Sequence, residues 1–169
     1  MNIVLHQPEI PHNTGAIGRT CLVTGAKLHL IRPYGFYLDD KSLKRSGLDY
    51  WHKIDVYEYD NFSHFIDKIS QDDMPGDDVS ASSGTHFPCI YLVETGGNRI
   101  YTDVEYKTND YIIFGSETTG LPLWVLEEYS ERVVSIPMIG DARSLNLSVA
   151  VGIVLYEALR QNRFPCFHF

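Results

Sequence analysis

Short apolar runs alternate along this chain with segments whose apolar residues recur at helical spacing. Asn2 to His6 is a β-prone run, closed by the turn-rich stretch Gln7 to His12, where Pro8 and Pro11 cannot continue a helix. Asn13 then stands where a helix N-cap belongs. The segment to Thr24 places Ile17, Cys21 and Leu22 at helical spacing, and Gly25 suits the position just past a helix end. Leu28 to Ile31 reads as a second strand, Asp39 to Ser46 as a short helix stopped by Gly47, and Ile54 to Tyr57 as a third strand. A helix over Asn61 to Ile69, capped by Asn61, follows. Cys89 to Val93 and Tyr111 to Phe114 have the composition of buried strands. Leu121 to Tyr129 predicts a helix with Pro122 in its first turn, and Val133 to Ile136 a last strand. Leu145 to Arg160 is apolar around most of its circumference, which predicts a closing helix buried by its own core on one side and a partner subunit on the other. The alternation as a whole predicts an α/β fold with a parallel sheet covered by helices.

Length keeps this to one domain: 169 residues, 44% of them apolar, suffice for one sizeable core over 1–169 but not for two ordinary ones. The stretch Gln71 to Pro88 is small, acidic and nearly free of aliphatics, and reads as a mobile loop insertion within that domain. The longest apolar run, Val149 to Leu155, falls far short of the roughly 18 residues that a membrane helix needs, and the N-terminus has no basic region before its apolar stretch. Neither export nor membrane insertion is expected. Cys21, Cys89 and Cys166 are too widely spaced for a disulfide framework or a zinc site, and read as free thiols in a reducing cytoplasm.

Charge argues against a general nucleic-acid binder, since the net charge is −8. The distribution modifies that: residues 1–53 balance to +3 and the remainder to −11. One end of the chain can therefore face a polyanion, although on charge alone Lys41, Lys44 and Arg45 are more simply explained as a solvated helix face.

In α/β sheets ligands sit outside the carboxyl ends of the strands, which directs attention to three segments: Asn13 to Arg19, Gly115 to Gly120, and Pro137 to Ser148. The first has no G-x-G-x-x-G, so a nicotinamide or flavin site loses its best support, and no phosphate-binding Walker loop exists. Arg19 lies in an apolar helix, so a carboxylate or a bound phosphate is expected beside it. Glu117 in a glycine-flanked turn can orient a bound group or simply be solvated. Ser144 and Asn146 can serve chemistry or merely begin the last helix. No G-x-S-x-G elbow supports a serine hydrolase, and the seven histidines show no pair at metal-ligand spacing; His6, His29 and His86 read as structural or surface residues.

Asn13 with Arg19, then FGSETTG (Phe114 to Gly120), then Ile136-Pro137-Met138 leading to SLNLS (Ser144 to Ser148), resemble in order the three motifs of the SpoU-like tRNA ribose 2′-O-methyltransferases of the SPOUT class. LHQPEIPHNTG, RPYGFYLDDKSLKRSGLDYW and SLNLSVAVGIVLYEA are similar to the small single-domain branch that methylates the wobble nucleotide, position 34, as cytidine or modified uridine. The resemblance covers nearly the whole chain; the acidic loop looks longer than is usual for that branch. It implies an α/β fold with a C-terminal deep trefoil knot, and S-adenosylmethionine held in a bent conformation by Val93, Gly115, Ile136 and Ser144. It further implies a catalytic set of Arg19, Asn13, Glu117, Ser144 and Asn146, no metal, and a homodimer whose active site lies at the subunit interface. The partner RNA is then a tRNA anticodon stem-loop, met by Arg32, Lys41, Lys44, Arg45 and Lys53 from two basic N-terminal halves. Methylation of another tRNA or rRNA position, or an RNA-binding protein that kept the fold without the chemistry, are the alternative readings.

Overall fold

The computed structural model describes residues 1–37, 50–73, 88–140, 143–165 and 167. Among these, seven strands form one sheet: β1 (Asn2–His6), β2 (Lys27–Ile31), β3 (Val56–Tyr59), β4 (Ile90–Val93), β5 (Arg99–Ile100), β6 (Tyr111–Phe114) and β7 (Val133–Ser135). They lie in the order β3-β2-β1-β6-β4-β7-β5, and every pairing is parallel. Among the described residues four α-helices cover them: α1 (Pro11–Thr24), α2 (Phe62–Asp73), α3 (Leu123–Glu128) and α4 (Leu147–Gln161). The expected α/β architecture with a parallel sheet is present.

A parallel sheet covered on both faces needs strands that are apolar throughout, and the central pair supplies them: all of β1 and all of β6 are buried. Side chains alternate between two cores. Ile3, Leu5, Leu28, Leu30, Ile112 and Phe114 pack with Ile17 and Cys21 of α1 and with Val151, Val154 and Leu155 of α4. Val4, Leu92, Tyr111 and Ile113 pack on the opposite face with Phe65 of α2 and Val125 of α3. Burial pushes the Cys21 thiol up to about 12, which makes it an inert core group.

Helix boundaries differ from expectation in instructive ways. Asn13 is not the N-cap of α1: the helix begins at Pro11 with Ile10 as the preceding cap residue. Proline suits that first position because its fixed φ is helical and the N–H it lacks would have no helical partner. The C-terminal expectation holds, with Gly25 at φ 69° and its N–H donating to Cys21 O. Asn61 caps α2 as expected, accepting from His64 N–H at 2.9 Å, and α2 runs on past Ile69 to Asp73. Pro122 precedes α3 rather than lying inside it. The strand expected over Ile54 to Tyr57 starts later, because Trp51–Lys53 forms a 3-10 turn that closes with Ile54 N–H donating to Trp51 O at 3.1 Å. Ile54 is buried there without being in a strand. The edge strand β5 carries two exposed residues and so no readable pattern. The helix expected over Asp39 to Ser46 lies outside the described residues, as does most of the acidic loop. Among the described residues no helix is long and apolar enough to cross a membrane.

The chain leaves β1 through α1 on one face of the sheet, and leaves the neighbouring β6 through α3 on the other. Connections that diverge from adjacent parallel strands open a crevice at the carboxyl edge, which is where such folds bind ligands.

Midway along β2, His29 is 4% exposed, stacked on Tyr57 at 4.9 Å, and bonded on both ring nitrogens. Asn2 Oδ1, 3.2 Å from Nε2, can only accept, so Nε2 carries the proton and Nδ1 accepts from the Tyr59 hydroxyl at 2.8 Å. Burial, aided by Lys27, lowers the His29 pKa from 6.5 to about 3. Above pH 6.5 the imidazole is neutral in both folded and unfolded chains; below it the unfolded chain takes up the proton and the folded one does not until about pH 3. Stability should therefore fall with pH across that window, by at most about 1.4 kcal/mol per pH unit from this group. Urea midpoints between pH 7 and 4 should decline less steeply for His29→Gln than for the wild type; parallel slopes would show that His29 is not the source.

Candidate active site

The loops at the carboxyl edge converge on a cavity of about 270 Å³. Ile10 and Asn13 reach it from the β1 side, Glu94 and Thr95 from the end of β4, and Gly115 to Glu117 with Gly120 from the end of β6. Ile136, Met138 and Ser144 to Leu147 close it from the end of β7 and the start of α4.

One hydrogen-bonded chain runs through residues that line this cavity. Glu117 Oε2 accepts the backbone N–H of Glu9 at 2.8 Å, while its Oε1 accepts Ile10 N–H at 3.3 Å and Asn13 Nδ2 at 2.9 Å. Asn13 Oδ1 accepts from Asn146 Nδ2 at 3.0 Å. Asn146 Oδ1 in turn accepts from Ser148 N–H at 3.0 Å and from its hydroxyl at 2.7 Å, which caps α4. An ionised carboxylate only accepts and a backbone N–H only donates, so the direction of every bond between them is fixed. Among the described residues Asn13 and Asn146 each spend one amide hydrogen on the chain and keep the other. The first-turn position of Asn13 matters here: its side chain leaves α1 sideways towards Glu117 and Asn146.

The β6–α3 loop is shaped by two glycines. Ser116 and Gly120 bond to each other through both backbone groups, at 3.2 and 3.0 Å, and an added Cβ on Gly115 would lie 2.2 Å from Gly120 C. Gly120 itself sits at φ +67°, and a Cβ there would meet the Glu94 carboxylate at 2.6 Å. Glu94 Oε2 accepts Leu121 N–H at 3.0 Å, so carboxylates hold this loop from both sides. Glu94 and Glu9 were not among the expected residues. Glu94 directly follows a central strand, and the carboxyl-edge rule applied to β4 as well as to its neighbours would have found it. The Glu9 carboxylate accepts from the Thr118 hydroxyl, a tertiary contact with no trace in local sequence.

Of the residues singled out by sequence, Asn13, Glu117, Ser144, Asn146, Val93, Gly115 and Ile136 all border the cavity. Arg19 does not. It is exposed, its guanidinium lies 4.8 Å from the centre of the Tyr50 ring, and among the described residues it pairs with no carboxylate, so of the two expected partners the carboxylate is not found there. Arg32 is ion-paired with Glu58 at 2.8 Å and lies 4.0 Å from Asp60, so its charge is already matched within the chain. Lys53 is exposed; Lys41, Lys44 and Arg45 lie outside the described residues.

Replacing Glu117 by Gln leaves one acceptor oxygen for three donors and places an NH2 against an N–H. Glu117→Gln should cost about 1–3 kcal/mol of stability, read from urea unfolding. An unchanged midpoint would mean that the carboxylate does not organise the loop.

Residues 1–156 match the model of the SpoU rRNA Methylase family. A tRNA (cytidine(34)-2′-O)-methyltransferase of Yersinia pestis is 42% identical over 98% of this chain and 96% of its own. A solved structure described as giving insights into 2′-OH methylation of C/U34 on tRNA is 39% identical, with a TM-score of 0.81 over 96% of this chain and 95% of that one. An AdoMet-bound rRNA methyltransferase from Sinorhizobium meliloti is 26% identical, with a TM-score of 0.73 over 94% of this chain and 55% of its own. With its cavity at the divergence of β1 and β6 and the three motif segments around it, this chain belongs to the SpoU methylase family.

Proposed function

We propose that the protein transfers the methyl group of S-adenosylmethionine to the ribose 2′-hydroxyl of the wobble nucleotide, position 34 (cytidine or modified uridine), in the anticodon stem-loop of cytoplasmic tRNA. The observation that carries this reading is the shared cavity, where the Glu117–Asn13–Asn146 chain meets the segments bearing Val93, Gly115, Ile136 and Ser144. The names of its relatives support the reaction and the nucleotide.

The residues suit the donor. The cavity, about 270 Å³, approaches the lower end of the usual range for small-molecule sites, about 300 Å³. Val93, Phe114, Ile136, Leu147 and Ala150 offer apolar surface for an adenine, and Glu94 and Glu117 bring negative charge to a ligand that carries a sulfonium and an ammonium. When bound, the donor supplies an electrophilic methyl carbon. Val93, Gly115, Ile136 and Ser144 hold it, largely through backbone groups. The spare amide hydrogens of Asn13 and Asn146 then face the ribose as fixed donors towards developing negative charge on the 2′-oxygen, kept in place by Glu117. A guanidinium with a pKa above about 12 is a poor proton acceptor, so Arg19 acts by stabilising that alkoxide and the adjacent phosphate, with the proton passing to phosphate or water. No metal is assigned a part.

Arg19 performs this role in the cavity of a partner subunit. Six residues along α1 from Asn13, it points about 120° away from it around the helix axis. A homodimer that packs α1 and α4 against their copies covers the exposed Ile10, Leu145, Val149 and Tyr156 and brings each Arg19 to the neighbouring cavity. The C-terminal segment around Ser144 and α4 takes the deep trefoil knot of the SPOUT class.

Labelled methyl transfer to total tRNA from a strain lacking the gene, followed by digestion and nucleoside mass spectrometry, should yield 2′-O-methylated cytidine or a uridine derivative at position 34. Label at another position would reassign the substrate; donor binding without transfer would leave an inactive RNA binder. For the shared site, Arg19→Ala and Asn146→Ala should each be inactive alone. Co-expressed, they should recover about a quarter of wild-type activity, because half of the dimers then hold one intact site. No recovery would place Arg19 and Asn146 in the same subunit's site.

A further inference from the structure

The segment that follows β2 is richer in exposed aromatic surface than its place in the fold requires. Tyr34 is anchored: its ring packs against the core below α1, and its hydroxyl donates to Glu58 at 3.0 Å. Arg32 donates to the same carboxylate and lies 5.7 Å from the centre of the Tyr34 ring. Phe36 stacks on Tyr34, with ring centres 5.9 Å apart and planes 22° from parallel, and remains half-exposed. Tyr37, next in the chain, is 85% exposed.

This aromatic step is tied to the candidate active site. Gly35 N–H donates to Pro8 O at 2.9 Å, and an added Cβ on Gly35 would come within 2.7 Å of Glu9 Cα, so the two loops are in contact along their backbones. Glu9 is held by Glu117, which borders the cavity. The strands place it likewise: β2 is two positions from β6 in a parallel sheet, so the two carboxyl ends lie about 10 Å apart on one edge.

Solvent-facing rings beside such a site have a natural partner in unpaired bases, each of which has a face to stack. At Arg32, the cation beside these rings, charge does not compete as an explanation, because Glu58 matches it. We infer that Tyr37, backed by Phe36 and Tyr34, is a stacking platform for an unpaired nucleobase of the substrate RNA beside the methylated nucleotide; this rests on the tRNA methyltransferase reading above. Tyr34, Arg32 and Glu58 are then positioning residues, which hold the loop so that the outer ring meets the RNA.

Binding of a labelled anticodon stem-loop transcript by anisotropy over a range of salt concentrations tests this, together with calorimetry of S-adenosylmethionine binding. Tyr37→Ala should weaken RNA binding about tenfold. The slope of affinity against salt, the donor affinity and the turnover at saturating RNA should stay unchanged, and Tyr37→Trp should restore binding. Unchanged RNA affinity in Tyr37→Ala would overturn the platform, as would a loss accompanied by a shallower salt slope, which marks a phosphate contact. A wild-type protein that binds the donor but neither binds nor methylates the transcript would overturn the functional reading itself, and the platform with it.

Discussion

The carboxylate of Glu117 ties the first loop of the sheet to the loop that follows its central strand. It accepts the backbone N–H groups of Glu9 and Ile10 at the entrance to α1, and the side chain of Asn13 one turn further in. Hydrogen bonds to a charged acceptor are about twice as strong as neutral ones, and negative charge here also meets the positive end of the α1 dipole. Because the carboxylate cannot donate, it orients Asn13, Asn13 orients Asn146, and Asn146 ends on the first turn of α4. Residues more than 130 positions apart in the chain, Asn13 and Asn146, thus present fixed amide groups to one cavity.

That arrangement is possible because of where the sheet changes direction. Adjacent parallel strands whose connections cross to opposite faces leave their loops uncovered at the carboxyl edge. The loop after β6 fills part of that opening by folding on itself between Gly115 and Gly120, with the Glu94 carboxylate lodged where a side chain on Gly120 would otherwise lie. The tightness is local and specific: it needs glycine at both positions and a carboxylate on each side. Elsewhere the fold is held by ordinary apolar burial in two cores on either side of the sheet.

Most of the framework was legible because a doubly covered parallel sheet writes itself as apolar runs. Tyr111 to Phe114 coincides with β6, and Asn2 to His6 with β1. What escaped depended on tertiary contact. Ile54 looked like strand because it is apolar and buried, yet its burial comes from packing in the core at the end of a 3-10 turn, where it meets Gly18. β5 escaped because both its residues face solvent. Asn13 has an N-cap's chemistry, but Pro11 starts the helix, which leaves the side-chain amide of Asn13 for Glu117. The cavity residues were legible through resemblance and the carboxyl-edge rule, whereas the matching of Arg32 by Glu58 needed the pairing of β2 with β3.

The matching of Arg32 also bears on how an acidic chain would recognise the RNA of the proposed function. With a net charge of −8 and Arg32 committed to Glu58, long-range attraction is weak in a single subunit, and phosphate contacts alone would discriminate poorly between RNAs. Short-range recognition does not share that weakness. In the proposed function, stacking on Tyr37 and hydrogen bonds from the amides of Asn13 and Asn146 would act only once the nucleotide is in place, be little affected by salt, and depend on its being unpaired. An enzyme built this way gives up some of the encounter rate that a basic surface provides and selects instead for a loop whose bases are already exposed. An anticodon loop has that property, which makes the acidic composition compatible with a tRNA substrate.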